Sequence, residues 1–520
     1  MKPQFLTKGN LPMTTQPTEP TQPKQPIEFS TDISQITDRY QTNSTPLSVE
    51  FLAELNKLCA TSTELADRVQ HSRDWWPLAM HWSLNAQTAK RADAICRPTT
   101  TKQVSEVVVL CEKNSVPVTV SGGRSGVCGA AIPLFGGVVI DMTSLAGVIS
   151  VDEISGLVEV LPGTFGPDLE NVLREKHGLS VGHFPQSFDI STVGGWIGSR
   201  GAGQFSTRYG KIDDMVAGLE IVLADGSVIL TGTEPAGASG PNLTSLFIGS
   251  EGSLGVITKV WLRAHPVAPN ERRAAYMFGS FAQAVEAMRL AIRSGATPAV
   301  LRLYDERESK RAHGGDGSQC ALLVLDEGEQ VLIDAMMQVV DNACRANNSQ
   351  TADVALVEHW MSHRNDTSGL QILSKKGFVI DTMEVSVIWS RVNTVAESVK
   401  KAIMTVPGAR SASCHISHSY IDGACIYFTF VAEPSSSNLN AIELTYEAIW
   451  NAAQNSALDA GANLSHHHGV GINRAKFMKR ALGPAHDVLT AIKFALDPKD
   501  ILNPGKFAIA SKRGEATTKR

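Results

Sequence analysis

The stretch Ser465-His466-His467-His468-Gly469-Val470-Gly471, with Arg474 just behind it, places three imidazoles side by side. Imidazole titrates close to neutral pH, which suits it to proton transfer. Neighbouring side chains on an extended segment point to opposite faces, so at most two of the three are expected to converge. Metal binding asks for other spacing. The triplet offers no His-x-x-x-His pair and has no nearby Glu, so no metal is expected there. A solvated histidine run is the plain alternative. Gly469 and Gly471 speak against it, because they suit a backbone pressed close to a ligand. A second segment reads Cys-His-Ile-Ser-His-Ser-Tyr-Ile-Asp-Gly-Ala-Cys-Ile-Tyr-Phe-Thr-Phe from Cys414 to Phe430. In it Tyr427 is a polar group on an apolar strand, either a packed structural tyrosine or an acid/base group whose hydroxyl needs a partner.

Glycine supplies a different chemistry. Four glycine- and hydroxyl-rich segments lie within one third of the chain: Val120 to Ser125, Pro185 to Gly195, Ser199 to Gly203, and Gly249 to Thr258. Glycine lets main-chain N–H groups approach an anion and adopt positive φ. The hydroxyls of Ser125, Ser187, Thr192 and Ser199 add neutral donors. The loop after the strand at Val116 is therefore a candidate pyrophosphate cradle. It lacks the terminal Gly-Lys-Ser/Thr of a Walker A segment, which excludes an ATPase.

The elements that must position these groups fall into two styles. From Arg97 to Gly255 the chain is rich in short strands. Val116 to Val120, Gly137 to Met142 and Leu157 to Leu161 are examples, and Asp214 to Leu223 turns at Asp225-Gly226 into Ser227 to Thr231. Helical spacing marks Leu47 to Cys59, Leu65 to His71, Val104 to Lys113 and Leu169 to Glu175. The rhythm differs from the regular βαβ repeat of a Rossmann domain. From about Asn270 longer helices (Phe281 to Ser294, Gln330 to Ala346) alternate with strands (Ala321 to Asp326, Phe378 to Ser386, Cys425 to Val431). Arg474 to Ala491 is expected to be helical. The fold class is α+β.

Composition bounds the rest. The 520 residues are 43% hydrophobic and 19% charged with a net charge of −5, which gives no polycationic field for nucleic acid. No apolar run reaches about 18 residues, so no membrane span is expected. The Thr-, Gln- and Pro-rich start lacks an apolar signal core and is expected to be a disordered tail. Eight scattered cysteines without a C-x-x-C pair fit a reducing, cytoplasmic setting.

The ordered series Pro98, Ser121-Gly-Gly-Arg-Ser, Gly137 to Asp141, Pro162-Gly163, Pro185-Gln186-Ser187, Thr192-Val193-Gly194-Gly195, Arg208-Tyr209-Gly210 and Gly249 to Gly255 resembles the FAD domain of vanillyl-alcohol oxidase/PCMH-type flavoproteins. The resemblance implies a two-part PCMH-type FAD-binding domain, an α+β cap (substrate) domain and a C-terminal helical segment. The expected limits are a tail at 1–30, an N-terminal helical segment at 31–90, the FAD domain at 91–268, the cap at 269–463, the active-site segment and helices at 464–510, and a flexible tail at 511–520. FAD contacts carry over to Thr119, Val120, Ser121, Gly122, Gly123, Arg124 and Ser125. They also carry over to Gln186, Ser187, Phe188, Asp189, Ile190, Ser191, Thr192 and Gly195, and to Ser199, Arg200, Gly201 and Ala202. The last group is Glu251, Gly252, Ser253, Leu254, Gly255, Val256 and Ile257. No His lies between Val116 and Pro133, so FAD is expected to be non-covalent.

Within that superfamily the Gly-Ala-Cys-Ile-Tyr-Phe strand and the Ser-His-His-His-Gly-Val-Gly segment resemble the alkylglycerone-phosphate synthases. This implies acid/base roles for Tyr427, His466, His467 and His468, and substrate binding by Arg302, with Arg364 a second candidate. The implied reaction exchanges the acyl group of an acylated dihydroxyacetone phosphate for a fatty alcohol, making an ether lipid with no net redox. One departure is that Leu370 or Gln371 falls where this branch carries a substrate-binding Arg. The ending Leu502-Asn503-Pro504-Gly505-Lys506 is more similar to flavin-dependent D-2-hydroxyacid dehydrogenases. That makes an oxidoreductase, with an electron acceptor as partner, the alternative; a flavin-binding protein without catalysis is the third reading. A small or lipid-like substrate, peripheral membrane contact and a homodimer complete the expectations.

Overall fold

A computed structural model describes residues 28–43, 46–366 and 368–518. Most of the expected N-terminal tail thus lies outside the described residues. The glycine-rich third builds two sheets. The first joins β1 (Ala60–Ser62), β2 (Ala94–Arg97), β3 (Val118–Ser121) and β4 (Val138–Asp141) in the order β1-β2-β4-β3. β2, β4 and β3 run parallel while β1 is antiparallel. The strands are short apolar runs; the helices Val49–Leu58 and Thr101–Lys113 pack with Ala94, Cys96, Val118, Val138 and Ile140 on one face, while Ile95 and Val139 are buried in a separate cluster on the other. The helix Val49–Leu58 and β1 fall inside the expected N-terminal segment, yet they pack into this sheet. From the far end of the chain, Ile501 and Asn503 hydrogen-bond to Val118.

The second sheet contains β5 (Val148–Asp152), β6 (Leu157–Val160), β7 (Val216–Val222), β8 (Val228–Gly232) and β9 (Val256–Arg263), ordered β8-β7-β9-β6-β5. The Asp225-Gly226 turn between β7 and β8 forms as expected, with Gly226 at φ +83°. Loops between the two sheets carry the glycine segments.

The third sheet has seven antiparallel strands. They are β10 (Asn270–Phe278), β11 (Val300–Tyr304), β12 (Cys320–Gly328), β13 (Gln350–Ala352), β14 (Val379–Ile388), β15 (Ala409–Ser419) and β16 (Gly423–Ala432), ordered β13-β10-β12-β11-β15-β16-β14. Helices Phe281–Arg293, Gln330–Ala346, Val392–Met404 and Leu439–Asp459 cover one face. Gln330–Ala346 shows why: Ile333, Met337, Val340, Ala343 and Cys344 recur at helical spacing and are buried. The other face turns toward the glycine loops and holds the polar cluster described below.

The expected helix from Arg474 to Ala491 is broken. Gly483, at φ +54°, and Pro484 end the short helix Met478–Leu482, and a new helix runs over Ala485–Leu496. At the end of the chain Thr517–Thr518 pairs with Tyr40–Gln41. All eight cysteines are buried and free.

Candidate flavin site

One cavity collects the four glycine segments. Its wall includes Val120 through Ser125, Gln186, Ser187, Ile190, Thr192, Gly195, Ser199, Gly201, Ala202, Glu251, Gly252, Gly255 and Ile257. The opposite wall comes from the third sheet and the C-terminal segment, with Asp381, Thr382, Tyr427, His467 and His468. Trp75, Pro77 and Met80 close one side, and Leu370, Gln371 and Ser374 another.

The close packing explains the glycines. A Cβ on Gly122 would lie 2.2 Å from Thr192 Oγ1, and one on Gly123 would lie 2.1 Å from the Ile190 carbonyl oxygen. The loop after β3 is thus pressed against the loop before the helix Val193–Ser199. Ser121 Oγ and Thr192 Oγ1 are buried with no hydrogen-bond partner among the described residues. Buried hydroxyls are ordinarily satisfied, so two orphans at one cavity wall fit a bound polar ligand. Arg124 sits at the same wall with φ +54°. It makes no ion pair among the described residues, and burial pulls its pKa down. Backbone donors, orphaned hydroxyls and a desolvated guanidinium match a pyrophosphate, so the residues present fit FAD.

Other carried-over positions stand behind the wall. Thr119, Leu254 and Val256 are buried away from the cavity. Ser253 Oγ donates to the Ser250 carbonyl, and Ser191 Oγ accepts from Trp196 Nε1. Phe188 stacks on Trp196. Neither it nor Asp189 lines the cavity. Arg200 turns outward to Asp213.

The chemical wall hangs on Glu384. Across the third sheet Glu384 on β14 pairs with Tyr427 on β16, which pairs with His415 on β15. Glu384 Oε1 accepts the backbone N–H groups of His466 (3.1 Å), His467 (3.0 Å) and His468 (2.9 Å), and the Ser465 hydroxyl (2.8 Å). The histidine segment is therefore a turn wound around one carboxylate and not an extended strand. Adjacent rings touch, but only His467 and His468 line the cavity, so two of the three converge there as expected, while His466 turns to Tyr420 and His418. Arg474 closes the hub with a fully buried ion pair to Glu384. Burial alone would raise the Glu384 pKa, but Arg474 and the neighbouring His468 hold it well below the usual carboxylate range.

Tyr427 meets both partners its burial demands. Its hydroxyl accepts from Thr382 Oγ1 at 3.0 Å and lies 3.4 Å from His468 Nε2. His468 Nδ1 lies 3.0 Å from Glu384 Oε2, off the line of a good hydrogen bond. Burial pushes the Tyr427 phenol above its usual value and holds His466 and His467 well below theirs, so both imidazoles are neutral at neutral pH. Asp381, buried under Tyr446 and Trp450, is pushed up to about 6. The wall thus combines neutral imidazoles, a phenol and a fixed carboxylate, a set able to move protons.

Gly469 and Gly471 have a different task from the one expected. At φ +77° Gly469 packs on the Glu251 carboxylate, and at φ +52° Gly471 packs on the Cys128 carbonyl. Glu251 accepts from Val470 N at 2.6 Å and Gly471 N at 2.9 Å. These glycines fasten the histidine turn to the cofactor loops. Arg302 and Arg364 do not line the cavity. Arg302 donates to Tyr304 Oη (2.6 Å) and His415 Nε2 (2.7 Å), behind Tyr427. Arg364 lies over the rings of Phe184 and Phe205 and bonds to Gln204. Sequence reasoning gave no role to Thr382, Glu384, Arg474, His418 or Tyr420. A carboxylate inside the apolar run Val379–Ile388 was the available signal for Glu384.

Two family models match the chain: FAD binding domain over residues 92–232, and FAD linked oxidases, C-terminal domain over residues 268–507. An uncharacterized FAD-linked oxidoreductase, YgcU, of Escherichia coli O157:H7 is 31% identical over 430 residues, 79% of this chain and 88% of the relative. Alkyldihydroxyacetonephosphate synthase of Dictyostelium discoideum is 29% identical over 458 residues, 81% of this chain and 74% of the relative. Among solved structures, an alkyldihydroxyacetonephosphate synthase superposes with a TM-score of 0.76 at 24% identity, covering 92% of this chain and 89% of that one, which shows the shared fold. Together the cradle, the cap sheet and these matches show that the chain belongs to the FAD-linked oxidase family and takes FAD as its cofactor.

Proposed function

We propose that the chain is an FAD-dependent enzyme of the alkylglycerone-phosphate synthase type, exchanging an ester-linked acyl group for an alkoxy group. The observation that carries this is the Tyr427–His468 pair on the cavity wall, braced by Glu384 and Arg474. In the exchange the bond between the substrate carbon and the acyloxy oxygen breaks, that carbon bonds to the alcohol oxygen, and the acyloxy group leaves as a fatty acid that takes up the alcohol proton, with no net redox. Bound FAD supplies an electrophilic ring that can hold or oxidise the reacting carbon. The chain's own part is to take and return protons: His468 draws on Tyr427, Thr382 orients the phenol, and Glu384 orients the imidazole.

A second reading is oxidation of an uncharged alcohol. It is favoured by the wall at Leu370, Gln371 and Ser374, where no Lys or Arg lines the cavity among the described residues. Anaerobic absorbance spectroscopy separates the two. Acyl-dihydroxyacetone phosphate that perturbs the flavin spectrum without passing electrons to an added acceptor supports exchange. Bleaching by a hydroxyacid or a neutral alcohol, with electrons recovered on the acceptor, replaces it with the second reading.

A further inference from the structure

Either reaction releases a proton inside the cavity. Exchange ends with a fatty acid that ionises, and oxidation leaves behind the hydroxyl proton. We propose that His467, His466 and Tyr420 form a conduit that carries this proton from the cavity to the surface. The proposal rests on the reading that proton chemistry occurs at this wall.

The three side chains lie in series. The His467 ring lines the cavity. Its Nδ1 lies 2.8 Å from His466 Nδ1, and His466 Nε2 lies 2.5 Å from the Tyr420 hydroxyl. Tyr420 is partly exposed at the end of β15, beside Asp213 and the exposed Asp214. Each imidazole has one nitrogen toward each neighbour, so it can accept on one side and release on the other. A proton arriving on the far nitrogen of His467 displaces the Nδ1 proton to His466. His466 passes its Nε2 proton to Tyr420, and the partly exposed phenol releases its own to water. One proton enters, one leaves, and no charge stays behind.

The rival occupant is a divalent metal. His418 brings a third imidazole into the group, with ligand nitrogens all within 4.8 Å of one another. The spacing decides between the two. Two nitrogens bound at about 2.0–2.1 Å to one tetrahedral zinc stand roughly 3.3 Å apart. The observed 2.8 Å between the His466 and His467 Nδ1 atoms is a hydrogen-bond distance. The carboxylate that would complete a metal set, Glu384, is occupied by three backbone N–H groups and Arg474.

The test needs no substrate. Rapid anaerobic mixing with pre-reduced methyl viologen, a one-electron donor whose oxidation releases no proton, reduces the bound flavin in weakly buffered solution; the flavin draws at least one proton, which a pH-indicator dye records beside flavin bleaching. In the wild-type holoprotein uptake should track bleaching. In Tyr420→Phe, which removes one oxygen atom, uptake should lag by about tenfold or more, and added imidazole buffer should remove the lag. His466→Gln, a second break in the same path, should behave alike. Uptake that keeps pace in both variants, a lag that imidazole does not relieve, or one tightly bound divalent metal per purified chain would overturn the conduit. The substrate panel above fails or succeeds independently of this result.

Discussion

The two walls of the cavity solve opposite problems. The glycine wall keeps polar groups in want of a partner: the Ser121 and Thr192 hydroxyls are buried without one, and the half-buried Arg124 makes no ion pair among the described residues. The histidine wall spends most of its polar groups on one another, although His468 Nδ1 and Arg474 Nε are also buried without a hydrogen bond among the described residues. Glu384 alone accepts five hydrogen bonds on one oxygen, one of them from Arg474, which also pairs with the other oxygen. On the first wall the unmet hydroxyls face the cofactor's place, whereas on the second the central carboxylate is fully engaged in holding the histidine turn. Damage to the first should therefore remove the ligand. Damage to the second should cost stability or rate while the flavin stays.

The largest effect is expected at the glycine wall. Gly123→Glu should abolish flavin binding, because its Cβ alone collides with the Ile190 carbonyl and its carboxylate enters the anion cradle. The flavin-to-protein absorbance ratio, with circular dichroism as a check on folding, measures this. Normal FAD content in a native fold contradicts it. Since the collision is with backbone, Gly123→Ala should already lower FAD content.

On the opposite wall Glu384→Gln leaves Arg474 buried and uncompensated. Removing one partner of such a pair costs about 3–5 kcal/mol. Thermal unfolding of the holoprotein should show a large drop in midpoint, and an unchanged midpoint would mean that the turn does not hang on Glu384. The same carboxylate predicts an acid limit. Its pKa is depressed in the folded chain, so its stabilisation is complete above the unfolded value of about 4.3 and drains away as pH falls below it. Unfolding curves between pH 6 and 3, compared for the wild type and Glu384→Gln, should converge at the acid end.

Turnover should fall roughly 10²-fold or more in Tyr427→Phe and in His467→Ala with FAD retained, the usual scale for a lost acid/base group. Near-wild-type turnover in Tyr427→Phe would reduce the tyrosine to packing and leave the histidines as the only candidates.

The two walls also differ in how far the sequence discloses them. The cradle is local: each glycine segment is a few residues long, and the order of the four is itself a pattern. The histidine wall is not local. Glu384, Tyr427 and His415 become neighbours only through strand register, which sequence spacing does not encode. Nor does spacing disclose that the histidine triplet is a turn, because the carboxylate that bends it lies about eighty positions earlier in the chain. The helix from Arg474 was overextended for a local reason that the sequence does contain, the Gly483-Pro484 pair.

The smallest effect is expected at Arg302, and it separates two roles for one residue. Resemblance makes it a substrate anchor, which would give a large rise in KM on substitution. The geometry makes it a positioning residue. A guanidinium cannot accept, so its 2.7 Å contact forces His415 Nε2 to be the acceptor and leaves Nδ1–H to donate to Glu308 at 2.7 Å. Burial and the Arg302 charge lower the His415 pKa, which keeps this tautomer neutral. The His415 ring stacks on Tyr427 with centroids 4.8 Å apart, so its orientation sets that of the phenol. Arg302→Lys keeps the charge and loses the fork that reaches Tyr304 and His415 together. The expected outcome is a several-fold fall in kcat with KM nearly unchanged, together with a shift in the pH profile of kcat as His415 is freed to titrate. A KM raised tenfold or more at unchanged kcat would instead put Arg302 on the substrate, and the closed wall behind Tyr427 would have to open to admit it.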